Sequence, residues 1–355
     1  MRLNFSKRHH LSFYYKYSIA FINMVWQTKG KSTYAKSSMP NTNPYTDNSF
    51  TSSDLKTILH SKRANIYYLQ YCRVMQKDGR VLYLTDNEKE NLYYNIPIAN
   101  TTCILLGTGT SITQAAMRML SQAGVLVGFC GGGGTPLFMG SEIEWMTPQS
   151  EYRPTEYVQG WLSWWWDDDK RLQAAKQIQV ARLSFLQHVW SRDKDFRQLG
   201  FDSRSDAVTN LIERYRADIA KQTEVMHLLQ LEARMTKELY KLAAINTDNA
   251  GFIREHEGID KANSFLNHGN YLAYGLGATT AWVLGIPHGF AVIHGKTRRG
   301  ALVFDIADIV KDAIVLPLAF ICAKDNTSEQ EFRQECLNYF TTYKALDVMF
   351  DTVKD

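Results

Sequence analysis

The chain has 355 residues, 45% of them apolar and 21% charged, with a formal net charge of +4. That length allows two domains with cores of their own, and the composition is that of a soluble globular protein, so overall charge gives no support for nucleic-acid binding. Five cysteines, Cys72, Cys103, Cys130, Cys322 and Cys336, are odd in number and form no CxxC pair, which reads as reduced thiols in a cytoplasmic protein.

Residues 1–38 hold seven basic side chains and no acid, so the remainder sums to −3 and is close to neutral. With the polar Asn/Thr/Ser stretch that follows, residues 1–52 read as an extension without fold, produced from an upstream start codon. A basic nucleic-acid arm and a targeting leader are the alternatives; the short apolar run 18–26 is interrupted by Asn23, which argues against a signal peptide.

Strand signals come next. The β-rich runs 65–75 and 80–84 flank Lys77-Asp78-Gly79, and short strands are expected at 96–100 and 103–106. One helix is expected at 111–123, with Ser111 as its N-cap and Gly124 at its end, before a buried strand at 125–129. The Gly107-Thr-Gly109 turn lacks the third glycine and the acidic residue of a dinucleotide site, so a nicotinamide oxidoreductase has little behind it. Gly131–Gly134 permits positive φ or close backbone approach, for a subunit contact, a phosphate or a flexible loop.

From residue 151 the apolar spacing becomes helical, over 155–166, 170–193, 205–215, 225–244, 263–284, 306–324 and 330–352. The fold class is α+β: a small β-rich domain at 53–150, then a larger all-α domain at 151–355. The uncharged stretch 272–293 is long enough to cross a bilayer, but its glycines and Gly285-Ile-Pro-His-Gly289 favour a buried helix, a turn and a re-entering segment. Trp161, Trp164, Trp165 and Trp166 crowd one helix; Trp161 and Trp165 share a face, which suggests core packing plus a second surface.

Chemistry concentrates in 294–308, where His294, Lys296, Arg298, Arg299, Asp305 and Asp308 surround an apolar run. Carboxylates with one imidazole suit Mg²⁺ or Mn²⁺, and adjacent cations suit a phosphate substrate. Each residue has a plainer reading. His294 could be a core histidine, Asp305 the N-cap and Asp308 the N3 residue of a helix at 306–324, and the cations a solvated loop. Glu232 lies at the edge of the apolar stripe of its helix and could simply pair with a nearby base.

Glu232-Ala-Arg-x-x-Lys-x-Leu-Tyr240, Gly-Phe-Ala-Val-Ile-His294-Gly-Lys-Thr-Arg-Arg-Gly and Asp305-x-x-Asp308 together resemble the CRISPR-associated spacer integrases, the first adaptation proteins, in their type I-F branch. The resemblance spans about residues 53–355. It implies an N-terminal β domain that dimerises, a helical catalytic domain, and an Mg²⁺- or Mn²⁺-dependent DNA endonuclease and integrase. Glu232, His294 and Asp308 would be the metal ligands, with Asp305 assisting. Lys237 or Lys241, with Lys296, Arg298 and Arg299, would hold double-stranded DNA. The partners implied are spacer-precursor and repeat DNA, a second copy of the chain, and the second adaptation protein fused to the helicase-nuclease. A non-catalytic DNA-binding assembly subunit is the alternative.

Overall fold

The strand run expected over 65–75 is broken at Tyr71, whose φ is +50°, and its two halves enter different sheets. The computed structural model describes residues 65–87, 90–134, 143–146, 155–255, 258, 260–295 and 301–354. Expectations for the 1–52 extension, for the domain boundary near 148–154, and for Lys296, Arg298 and Arg299 lie outside the described residues. The first half forms β1 (Asn65–Leu69), β2 (Arg73–Lys77), β3 (Arg80–Asn87), β4 (Glu90–Ile96), β5 (Thr101–Leu106), β6 (Ser111–Ile112), α1 (Gln114–Gln122), β7 (Leu126–Phe129) and β8 (Glu144–Met146).

One sheet has the order β1-β5-β7-β8 and the other β4-β3-β2-β6. β1, β5 and β7 run parallel and are buried on both faces, so they read as continuous apolar runs. The β2–β3 hairpin turns through Asp78 and Gly79, both at positive φ, as an Asp-Gly pair favours. Two local expectations are corrected. Ser111 does not cap α1: its N–H bonds to the Cys72 carbonyl as β6 pairs with β2, and the Thr113 side chain takes the cap instead. Residues 98–100 form a 3₁₀ turn rather than a strand, following Pro97, which has no N–H for a ladder.

The second half is helical: α2 (Glu156–Trp164), α3 (Asp168–Arg192), α4 (Lys194–Gln198), α5 (Asp206–Lys221), α6 (Val225–Asn246), α7 (Lys261–Val283), α8 (Ala301–Val310), a π-turn (Lys311–Val315), α9 (Leu316–Lys324), α10 (Glu329–Thr342) and α11 (Ala345–Lys354). The helix expected at 330–352 is two, separated at Lys344 with φ +51°. The helix expected at 306–324 begins five residues earlier, because the apolar run 301–303 is itself buried. Asp305 therefore sits mid-helix, which removes its capping role. Pro317 cannot donate to the Ala313 carbonyl, and the chain widens there into the π-turn. The Trp190 indole N–H donates to that carbonyl at 3.0 Å instead.

The two faces of the parallel sheet serve two cores. Tyr67, Leu69, Ile104, Leu106 and Val127 pack with Val74, Val81, Tyr83 and Leu120 towards the second sheet and α1. Ile66, Tyr68, Cys103, Leu105 and Leu126 join the core of the helices. α7 is the contact element: a Cβ on Gly275 would lie 3.0 Å from Leu105, and one on Gly277 only 2.6 Å from the Val303 carbonyl oxygen of α8. Gly133 and Gly134, both at positive φ, lie against Tyr271 of α7, so this glycine run serves close approach. Among the described residues no helix is long and apolar enough to cross a membrane.

Candidate metal centre

Three segments converge on one buried point. α6 carries Glu232 with its side chain 12% exposed, α8 carries Asp308 at 1%, and the turn before α8 carries His294 at 8%. One ligand atom from each lies within 4.8 Å of the others. The turn is held from two sides. The Trp165 indole donates to the Ala291 carbonyl at 3.0 Å with Phe290 edge-on to its ring, so one of the crowded tryptophans pins the histidine segment. Trp161 is buried, as core packing requires, but the helix ends at Trp164, so Trp165 and the 74% exposed Trp166 lie beyond it.

Asp305 holds the turn from the other side. Its Oδ2 accepts from the N–H groups of Val292 (2.7 Å) and Ile293 (3.1 Å), and its Oδ1 accepts from the His294 N–H (3.1 Å). Oδ1 also lies 2.7 Å from His294 Nδ1. Both oxygens are thus engaged, and Asp305 stands outside the converging set. It fixes the imidazole so that Nε2 faces Asp308, 3.9 Å from its Oδ2. This carboxylate–histidine arrangement leaves Nε2 as the nitrogen that could hold a metal.

Permanent cations complete the centre. Arg182 on α3, 2% exposed, lies 3.0 Å from Glu232 Oε1 and 2.5 Å from Asp312 Oδ2. Lys311 pairs with Asp308 and sits over the Tyr274 ring, 5.2 Å from its centroid. Burial and the charge of Asp308 push the Glu232 carboxyl up to about 7, against the pull of Arg182. Burial alone would raise Asp308 too, but Lys311, Arg182 and His294 hold it well below the usual carboxylate range. Burial lowers His294, yet its bond to Asp305 and the charges of Asp308 and Glu232 outweigh that and raise it.

The residues fit a hard divalent cation. Glu232 Oε2 is buried without a hydrogen-bond partner among the described residues, and neither Asp308 oxygen makes an aligned hydrogen bond. Lys311 already meets Asp308 Oδ1, so Glu232 Oε2 and Asp308 Oδ2 are the oxygens that remain costly unless a further cation meets them. Four carboxylates, Glu232, Asp305, Asp308 and Asp312, face two permanent cations, an excess of negative charge that a divalent ion offsets.

Of the DNA-binding residues expected from sequence, Lys237 and Lys241 are exposed. They follow Glu232 by five and nine residues, which at 3.6 residues per turn turns them away from the centre. Sequence reasoning missed Arg182, Lys311 and Asp312. The available signal was charge inside apolar stripes: Arg182 between buried Ile178 and Leu186, and Lys311 and Asp312 between Val310 and Ala313.

Residues 66–352 match the family described as CRISPR associated protein Cas1. The CRISPR-associated endonuclease Cas1 of Pseudomonas aeruginosa is 57% identical over 309 residues, covering 85% of this chain and 95% of that protein. That of Pectobacterium atrosepticum is 54% identical over 315 residues, covering 87% and 97%. A Cas1–DNA complex shares the fold at a TM-score of 0.55 and 18% identity, covering 81% of this chain and 90% of that one. A casposase bound to an integration product does so at 0.58 and 14%, covering 79% and 82%. On the family match and these identities, the chain belongs to the CRISPR-associated Cas1 family.

Proposed function

We propose that this protein is a divalent-metal-dependent DNA endonuclease and integrase that inserts short foreign DNA into a CRISPR array as new spacers. The observation that carries the reading is the convergence of Glu232, His294 and Asp308 from three separate segments, with carboxylate oxygens left unpartnered. Support also comes from relatives named CRISPR-associated endonucleases and from similar folds solved with DNA and with an integration product.

Glu232, His294 and Asp308 would hold Mg²⁺ or Mn²⁺, which when bound supplies Lewis acidity towards a phosphodiester oxygen and the leaving alkoxide. The rest falls to the chain. Asp305 keeps the His294 ring oriented, and buried apolar residues of α7 and α8 surround the ligands. Lys296, Arg298 and Arg299, next to His294 in sequence, would contact backbone phosphates. Lys237 and Lys241 would meet DNA only away from the centre. In strand transfer the 3′-hydroxyl of the incoming duplex forms a new P–O bond as the 3′-oxygen of the target strand departs. Water in place of that hydroxyl gives hydrolysis at the same centre. The assembly we propose is a homodimer through the β-rich half, associated with the second adaptation protein of the type I-F branch.

The test is Mn²⁺-dependent strand transfer and cleavage on branched DNA by the purified protein. His294→Ala and Asp308→Ala, shown folded by circular dichroism, should lose both. Full strand transfer by either folded variant would overturn the metal assignment.

A further inference from the structure

Arg182 is the most deeply buried permanent cation at the centre, and it is not among the ligands. Its three nitrogens engage two different elements. On α6, Nη1 forms an ion pair with Glu232 Oε1 at 3.0 Å, without an aligned hydrogen bond, and Nη2 donates to Thr236 Oγ1, one turn further, at 3.0 Å. On the π-turn, Nε donates to Asp312 Oδ2 at 2.5 Å. Asp312 follows Asp308 by four residues, so the guanidinium spans the two segments that supply the two carboxylate ligands.

From this geometry we infer that Arg182 is a positioning residue for the metal centre: it pins one oxygen of Glu232 so that the other faces Asp308 and His294. The proposal rests on the metal reading above. Glu232 Oε1 is ion-paired with the guanidinium while Oε2 is buried and unpartnered, so the charge pair sets which oxygen remains available. The planar fork donates to Thr236 and Asp312 in fixed directions while its charge faces Glu232 Oε1, and the compact ammonium of a lysine has no such fixed geometry. At 2% exposure Arg182 has no access to DNA, so its influence runs through Glu232 and Asp312. The π-turn contributes as well, since the wider turn ahead of Pro317 is where Asp312 meets the fork.

Charge and position make opposite forecasts. Arg182→Met removes a positive charge beside the centre, so Coulomb attraction alone would tighten the binding of a divalent cation. Positioning requires the reverse. Isothermal titration of the full chain with Mn²⁺ alone, without DNA, should show affinity reduced by about tenfold to a hundredfold in Arg182→Met, and by about tenfold in Arg182→Lys, which keeps the charge but not the fork. Arg182→Met binding Mn²⁺ as tightly as the unsubstituted chain, or more tightly, overturns the proposal. If that variant does not fold, Arg182→Lys decides, and an affinity within twofold of the unsubstituted chain overturns it. Thr236→Val removes only the third anchor and changes no charge, so it carries the test in a chain with its ion pairs intact. There a loss of roughly twofold to fivefold is expected, and no loss overturns the proposal. If the unsubstituted chain binds no Mn²⁺, the metal reading fails and this proposal with it. Binding in the unsubstituted chain with unchanged variants removes this proposal alone.

Discussion

Replacing Asp305 by Asn changes one oxygen to an amide nitrogen at a site where the carboxylate accepts three backbone N–H bonds and meets His294 Nδ1. The remaining oxygen can still serve Val292 and Ile293, but as a neutral acceptor. The amide nitrogen then faces the His294 N–H, which is left buried and unpaired. One unsatisfied buried donor costs about 1–3 kcal/mol, and two weakened charge-assisted bonds add about 1–2 kcal/mol, giving a loss of roughly 2–5 kcal/mol. The amide also donates to Nδ1, which moves the imidazole proton to Nε2, the nitrogen facing Asp308. A protonated Nε2 has no lone pair for a metal, so Mn²⁺ affinity should fall by about 10- to 100-fold. Urea unfolding at 25 °C measures the first effect and calorimetric titration with Mn²⁺ the second. Unfolding free energy within about 0.5 kcal/mol of the unsubstituted chain, or Mn²⁺ affinity within twofold, would refute the reasoning.

Two further outcomes follow from the same geometry. Glu232, raised to about 7, and His294, also raised, must both lose their protons to ligate, so Mn²⁺ affinity should increase from pH 6 to pH 8 with proton release. Titrations in buffers of different ionisation enthalpy measure that release, and a pH-independent affinity would contradict it. Without metal the sign is opposite. Groups with raised folded-state pKa values stabilise the fold at low pH and lose that contribution as pH rises through the folded value, so the metal-free chain should melt lower at pH 8 than at pH 6. In the packing, Gly277→Ala puts a methyl 2.6 Å from the Val303 carbonyl oxygen. The separation of α7 and α8 should cost about 1–3 kcal/mol, read by thermal melting. An unchanged melting temperature would mean that the two helices part without strain.

Periodicity carried the helices because each has a face that must be buried, and 225–244 and 170–193 appear within two residues as Val225–Asn246 and Asp168–Arg192. It failed where a third partner competes for the backbone. Ser111 was drawn into a strand by β2, and 65–75 was divided between two sheets at Tyr71. Neither event leaves a local signature, since both depend on residues more than thirty positions away.

The sequence by itself determined the α+β division and, through its motifs, the ligand candidates Glu232, His294 and Asp308 with Asp305 beside them. Residue type sets donor chemistry, so a list of hard donors is readable without coordinates. Only the tertiary structure decided where each one stands. Asp305 could be a cap, a ligand or a support until the start of α8 at Ala301 and its four contacts to the turn made it the support of His294. Arg182, 50 residues before Glu232, could not be assigned to the centre from sequence, because a charge on an apolar stripe reveals its partner only when the helices are packed.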